Sequence, residues 1–401
     1  MGEHRILICY ADTGGGHKSA AIAVRTAIEE LSNSAQENES GKKVTIFVET
    51  VVQETNAVNA FFVGLYNYLL RYHQDWMKYY TGFIETFKPN ETYLGYLMCR
   101  SYLQTVYDRI QPSVVVSVHP MVNHYMDRAR RDAGLIDTTK LVVVLTDPNS
   151  NLWSGWACKG ADLLIAPNDL ACNQLIKMGI AANQIQTIGM PIEPVFVQPP
   201  VIERTKVLQD LGLDPDKPTI LISGGWAGGG ALTDIYRALG KVKREIQIIF
   251  LCGNNKTLKR RMEEQSSLGK LPTVVLGYSE SMSDLFGAGD LLVTKAGGLT
   301  TYEAVARRLP MAINLLTEPM PQEMGTVDIL IKAGLAQAVR HNDDIIEIVE
   351  NLKVTSDRQS QALPAVHSLN RVDAVYDIAR SILALDALKQ LANTPSINLL
   401  N

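Results

Sequence analysis

The chain has 401 residues, 46% of them apolar and 20% charged, with a net charge of −4, a globular composition and enough length for two cores. That balance lacks the basic stripe on which nucleic-acid binding depends, so no nucleic-acid partner is expected. Five dispersed cysteines, at 9, 99, 158, 172 and 252, read as reduced thiols of a cytosolic protein rather than as disulfides or a metal cluster.

In chain order, the opening MGEHRILICY has too short an apolar run for a secretory signal. No later stretch approaches the ~20 apolar residues of a membrane span, so any membrane contact is expected to be peripheral. Strands are predicted at RILICY, KVTIFVE, SVVVSVH, KLVVVLTD and DLLIAP in the first half. The second half adds TILISGG, IQIIFLCG, TVVLGY, DLLVTKAG and MAINL. Continuous apolar strands separated by helix-length segments indicate parallel sheets covered on both faces, here twice over. The fold class is therefore α/β with two parallel-sheet domains. Prolines at 191, 194, 199, 200, 215 and 218 interrupt the alternation, because proline continues neither a helix nor a central strand. That region reads as a connector with one helix. The expected partition is 1–199, 200–375 and a last helical segment with its tail over 376–401.

The first strand runs into Gly14, Gly15 and Gly16, then His17 and an alanine-rich helical segment. Glycines at a strand-to-helix turn leave backbone N–H groups open to a ligand, and the helix N-terminus adds partial positive charge. A tight turn without any ligand fits one such pattern as well. The pattern recurs, however, in LISGGWAGGGALTDIYRAL, with Gly225 and the glycines at 228–230. It appears a third time at Gly297 and Gly298 in LLVTKAGGLTTYEAVARR. Neither GxGxxG followed by an acid nor GxxxxGK[ST] is present, which disfavours a dinucleotide dehydrogenase and a P-loop ATPase. Two open α/β domains with such turns would hold a ligand in the cleft between them.

Residues 59–110 depart from the alternation. They hold nine of the fifteen tyrosines, four of the eight phenylalanines and Trp76 at helical spacing, mixed with Arg71, Lys78, Lys88 and Arg100. Such a stretch suits the headgroup layer of a membrane; it also suits a domain core.

DTGGGHKSAA resembles the opening signature of the monogalactosyldiacylglycerol synthases and the processive diacylglycerol glucosyltransferases. VVLGYSESMSDLFGAGDLLVTKAGGLTTYEAVARRLPMAI is similar to the sugar-nucleotide half of that family and of the transferase that adds N-acetylglucosamine to lipid-linked muramyl peptide. The resemblance runs in order over most of residues 5–340. It implies two facing Rossmann-like domains of the glycosyltransferase B type, with a C-terminal helix returning to the first. It also implies inverting transfer of a hexose, galactose or glucose, from a UDP-sugar to a membrane lipid such as diacylglycerol. The enzyme would be cytoplasmic and peripherally membrane-bound, with UDP-sugar as donor substrate and no metal cofactor.

By that resemblance, Gly297 and Gly298 aim the next helix at the diphosphate, Thr300 and Thr301 add hydroxyl donors, and Glu303 takes the ribose hydroxyls. Gly277 and Tyr278 stand at the uracil, while Gly15, Gly16 and Gly225 line the cleft. Gln322 and Glu323 in TEPMPQEMGTVD read the sugar. The family commonly continues with asparagine where this chain has Thr326, and often carries a histidine after the Thr146–Asp147 pair where this chain has none. His17 is the first candidate for removing the acceptor proton; as imidazolium it would instead stabilise the leaving diphosphate. His119 is a second base or acceptor contact, or a buried structural histidine, and Asp147 orients either His17 or the acceptor. A related transferase with another lipid or a small-molecule acceptor, a UDP-N-acetylglucosamine 2-epimerase and a non-catalytic nucleotide- or membrane-binding member are the alternatives.

Overall fold

The computed structural model describes residues 4–37, 43–226, 228, 231–353 and 373–392. Apolar, largely β-branched runs form twelve strands in two sheets. The first lobe holds β1 (His4–Tyr10), β2 (Val44–Thr50), β3 (Val114–Ser117), β4 (Lys140–Val144), β5 (Leu163–Ala166) and β6 (Ile185–Thr187). The second holds β7 (Thr219–Ser223), β8 (Gln247–Leu251), β9 (Thr273–Leu276), β10 (Leu291–Thr294), β11 (Met311–Asn314) and β12 (Ala336–Val339). All pairings are parallel. The orders are β2-β1-β3-β4-β5-β6 and β12-β11-β10-β7-β8-β9.

These orders locate the crevices. Strand order reverses between β1 and β3 in the first sheet and between β7 and β10 in the second, and ligands of open α/β sheets bind at such points beyond the carboxyl ends of the strands. The turns after β1, β3, β7 and β10 carry Gly14–His17, His119, Gly225 and Gly297–Gly298. Both glycine series therefore lie at switch points.

Helices cover each sheet on both faces. The first helix, Gly16–Glu37, lies against the same face as the C-terminal helix, Ala374–Ala392. Ala374, Val375, Ile378, Ala379 and Ile382 of that last helix are buried in the first lobe's core, so the chain crosses back as the resemblance implied. Leu299 and Tyr302, from the second lobe's helix Gly298–Ala306, enter the same core. Each contributes about 2 kcal/mol of burial to holding the lobes together.

The opposite face of the first sheet carries the aromatic region. It forms three helices, Ala57–Tyr72, Met77–Phe87 and Tyr93–Ile110. The Asn56 side chain caps the first through Asn59 N–H, and Thr92 caps the third through Gly95 N–H. Lys88 in a left-handed conformation ends the second. One face of the bundle is core, with Tyr96, Leu103 and Tyr107 buried. The other is exposed: Phe61, Trp76, Tyr79, Phe87, Tyr93 and Leu94 are each 60–71% accessible. The core reading thus holds for one side of these helices, while the other side presents exposed aromatics. The connector holds two helices, the single-turn Pro194–Val197 and Arg204–Asp210, where one was expected. Among the described residues, no helix is long and apolar enough to cross a membrane.

Candidate active site

The first-lobe turn is built around Gly14, whose φ of +68° favours glycine. Asn67, from the helix Ala57–Tyr72, clamps it: Gly14 N–H donates to Asn67 Oδ1 at 2.9 Å, and Asn67 Nδ2 donates to the Asp12 carbonyl at 2.7 Å. His17, in the first turn of the following helix, reaches across to the end of β3. Its Nδ1 lies 2.8 Å from the Val118 carbonyl and 3.2 Å from Thr146 Oγ1. A carbonyl only accepts, so Nδ1 carries the proton and Nε2 keeps its lone pair. Nε2 has no hydrogen-bond partner among the described residues. Burial pushes the ring's pKa down to about 4, against the carbonyl contact, which raises it.

His119 sits beside it, with ring centroids 4.1 Å apart. Its Nδ1 accepts from Met121 N–H at 3.1 Å, which leaves Nε2–H to donate to Thr13 Oγ1 at 2.6 Å. Burial, then His17, drives its pKa well below the usual histidine range. His17 and His119 are thus neutral rings held in complementary tautomers. Asp147 follows β4. It accepts from Trp156 Nε1 at 2.7 Å, and no hydrogen bond links it to His17, whose Nδ1 is occupied by Val118. Of the two roles expected of Asp147, orienting His17 is therefore not the one the geometry provides. Burial raises its pKa to about 6, with Glu323 of the second lobe adding to the rise.

These side chains form the polar wall of a cavity of about 300 Å³ inside the first lobe, lined by His17, His119 and Asp147 and otherwise largely by apolar groups such as Val52, Phe62 and Ile84. Tyr66 lines it too, edge-on to Tyr80 at 5.6 Å. The hydroxyl of Tyr66 has no hydrogen-bond partner among the described residues, and burial together with Glu323, Tyr80 and Asp147 raises its pKa.

In the second lobe, Gly225 turns at φ +70° beyond β7. Lys295, at the end of β10, pairs with Glu323 at 3.2 Å. Its Cε lies about 4 Å from where a Cβ would stand on Gly225 or Gly297. The cleft thus holds a cation between its two glycine turns. Thr300 is partly exposed. Thr301 is buried, and its hydroxyl donates to the Gly297 and Gly298 carbonyls at 2.9 and 3.1 Å. The Thr301 hydroxyl therefore bonds back onto its own helix rather than presenting a donor to the cleft. Glu303 is buried with no hydrogen-bond donor among the described residues, and burial, followed by Glu193, raises its pKa to about 8. Gly277 lies next to the Gly253 turn, and Tyr278 beyond it is 61% exposed. The side chain of Gln322 and the glycines at 229 and 230 lie outside the described residues.

The lobes meet at these turns. A Cβ on Gly15 would fall 2.6 Å from Trp226 Cβ, and one on Gly298 would fall 2.7 Å from the Thr146 carbonyl. Trp226 is flanked by Arg71, whose Cζ stands 5.1 Å from its ring. Thr326 is buried and accepts from Asn149 Nδ2 at 3.1 Å, so it faces the opposite lobe. Sequence reasoning passed over Tyr66, Asn149, Trp226 and Lys295. The last two were open to it, since Lys295 immediately precedes the Ala296–Gly298 turn and Trp226 interrupts a glycine run.

The chain matches the family model for monogalactosyldiacylglycerol (MGDG) synthase over residues 17–192 and that for the glycosyltransferase family 28 C-terminal domain over residues 219–324. It is 28% identical over 400 residues to a probable chloroplastic monogalactosyldiacylglycerol synthase of Nicotiana tabacum, covering 94% of this chain and 70% of that one. Among solved structures it resembles MurG of Acinetobacter baumannii, with a TM-score of 0.56, 14% identity and coverage of 95% and 99%. It also resembles the MnaA–UDP co-structure from S. aureus, with a TM-score of 0.62, 14% identity and coverage of 98% and 99%. These two likenesses bear on the fold, which is of the two-lobed glycosyltransferase B type.

Proposed function

Since this chain is a glycosyltransferase of the monogalactosyldiacylglycerol synthase type, we propose that it transfers a hexose from a UDP-sugar to the hydroxyl of a diacylglycerol-like membrane lipid, with inversion. The observation that carries the reading is one juxtaposition. His17, whose Nε2 is unpartnered, lines an apolar cavity together with Asp147, which feels the charge of Glu323, the partner of Lys295 beside the Gly297 turn. Apolar walls suit a lipid acceptor, and convergent polar groups at one end suit its reacting hydroxyl.

In the proposed reaction, Nε2 takes the proton of the acceptor hydroxyl. The oxygen attacks the anomeric carbon from the face opposite the nucleotide. The bond from that carbon to the phosphate oxygen breaks, and UDP leaves with the electron pair. A ring that is neutral at pH 7 can accept this proton and carries no resident charge for the leaving group, which favours the base role over the imidazolium role. Asp147, on the same cavity, stabilises the imidazolium as it forms. Charge on the diphosphate is met by the helix N-terminus at Gly298, by Thr300 and by Lys295, with no metal required. Glu303 takes the ribose hydroxyls, Gly277 and Tyr278 border the uracil, and Gln322 and Glu323 read the hexose.

The exposed aromatic face of residues 58–98 supports a role as a peripheral enzyme on the cytoplasmic side of a membrane, with the cavity facing the lipid. MnaA of S. aureus binds UDP in its co-structure, which supports a UDP-sugar donor here. An experiment with labelled UDP-galactose, UDP-glucose and UDP-N-acetylglucosamine and dispersed diacylglycerol tests the reading. Sugar recovered on the lipid supports it; sugar turned over without lipid product overturns it.

A further inference from the structure

The cavity has two ends of different character. Thr13, His17, His119 and Asp147 form one wall. Val58, Phe83, Phe87 and Met98 also line it, yet each is 45–61% exposed, so the cavity opens among the outward aromatics. Between these ends the wall offers little to a polar guest. Asn59 Nδ2 is taken by Thr55 Oγ1 at 2.8 Å and Cys99 Sγ at 3.2 Å, and Tyr80 OH is bonded to the Phe62 carbonyl. The unpartnered Tyr66 hydroxyl belongs to the polar end, near Asp147 and Glu323.

Resting on the function just proposed, we infer that this cavity is a passage for one acyl chain of the acceptor lipid, running from the reaction centre at His17 to the exposed aromatic face. Its size sets the occupancy. At about 30 Å³ for each methylene-sized group, 300 Å³ holds about ten such groups. One chain fills it over about ten carbons and continues into the bilayer. A second chain finds no room and stays outside, against the aromatic face. Acceptor selection then rests on one chain's first ten carbons and is indifferent to what lies beyond them.

The test uses straight-chain alcohols from butanol to tetradecanol, displacing a fluorescent polyene fatty alcohol from the full-length protein in aqueous buffer. Each methylene withdrawn from water tightens binding about fourfold, so affinity should climb steeply and level off near ten carbons. Val63→Phe narrows the wall and Met98→Trp narrows the mouth. At least one of them should move the levelling point to shorter chains while UDP binding holds, and the pair guards against one variant misfolding. An affinity that climbs without a break to tetradecanol would overturn the passage, as would a levelling point unmoved by both variants or an absence of displacement. If the ladder fails while hexose still reaches diacylglycerol, the passage is wrong and the function stands. If the ladder holds while no lipid receives sugar, the passage stands and the function falls.

Discussion

Asn149 Nδ2 donates to Thr326 Oγ1 at 3.1 Å, and both residues are buried although they belong to different lobes. Gly325 makes the approach possible, since a Cβ there would stand 2.6 Å from Asn149 Cβ. The pair acts as a latch on the arrangement in which the cleft groups meet. Thr326→Val removes the acceptor of this cross-lobe bond, at a cost of about 1 kcal/mol, or about fivefold in the closed population. The donor KM should rise by that factor while the unfolding midpoint moves little, because each lobe keeps its own core. An unchanged KM would remove the latch from the account.

Asp147, held near 6 by burial, gives the reaction a pH profile. Below that value the carboxyl is protonated and no longer stabilises the imidazolium forming on His17. The transfer rate should therefore rise with pH through about 6 and flatten above it. Asp147→Asn should lower the plateau and abolish that limb. A limb that persists in the variant belongs to another group.

Glu303 couples stability to the donor site. Its folded pKa of about 8 lies above the ordinary glutamate value of 4.5. Between those values the folded chain holds a proton that the unfolded chain has released, so stability is full below about 4.5 and declines as pH rises towards 8. Glu303→Gln should melt higher than wild type at pH 8, with the two converging at pH 4.5. The same variant should bind UDP about tenfold more weakly, because an amide nitrogen replaces one of the oxygens that would accept from the ribose hydroxyls. Melting curves that differ by the same amount at both pH values would contradict the assignment.

The exposed face formed by Trp76, Tyr79 and Phe87 should hold the protein on lipid vesicles. Replacing the three by serine should cut vesicle co-flotation by tenfold or more while leaving the melting temperature nearly unchanged. None of them lies in a buried core cluster. Equal flotation would return this face to an ordinary surface.

Much of this architecture was legible because buried parallel strands are written as apolar, largely β-branched runs, as in Val114–Val116. The two strands missed, β6 and β12, are edge strands whose short polar-containing sequences, Ile-Gln-Thr and Ala-Gln-Ala-Val, carry no such run. Candidate site turns stood out where backbone geometry favours glycine, as at Gly14 and Gly225. Partnership was not legible. Nothing in the spacing said that Thr301 turns back on its own helix, that Asp147 pairs with Trp156, or that Thr326 meets Asn149, because such choices are made by packing between segments far apart in the chain. The aromatic stretch read equally as core and as membrane face because its helices are buried on one side and expose aromatics on the other.

The most direct test is transfer of labelled hexose from UDP-sugar to diacylglycerol vesicles by wild type and His17→Ala, with UDP affinity measured in parallel. The account predicts lipid-borne sugar from wild type, a loss of about 100-fold or more in the variant and UDP affinity within about twofold of wild type. Undiminished transfer by the variant would contradict it.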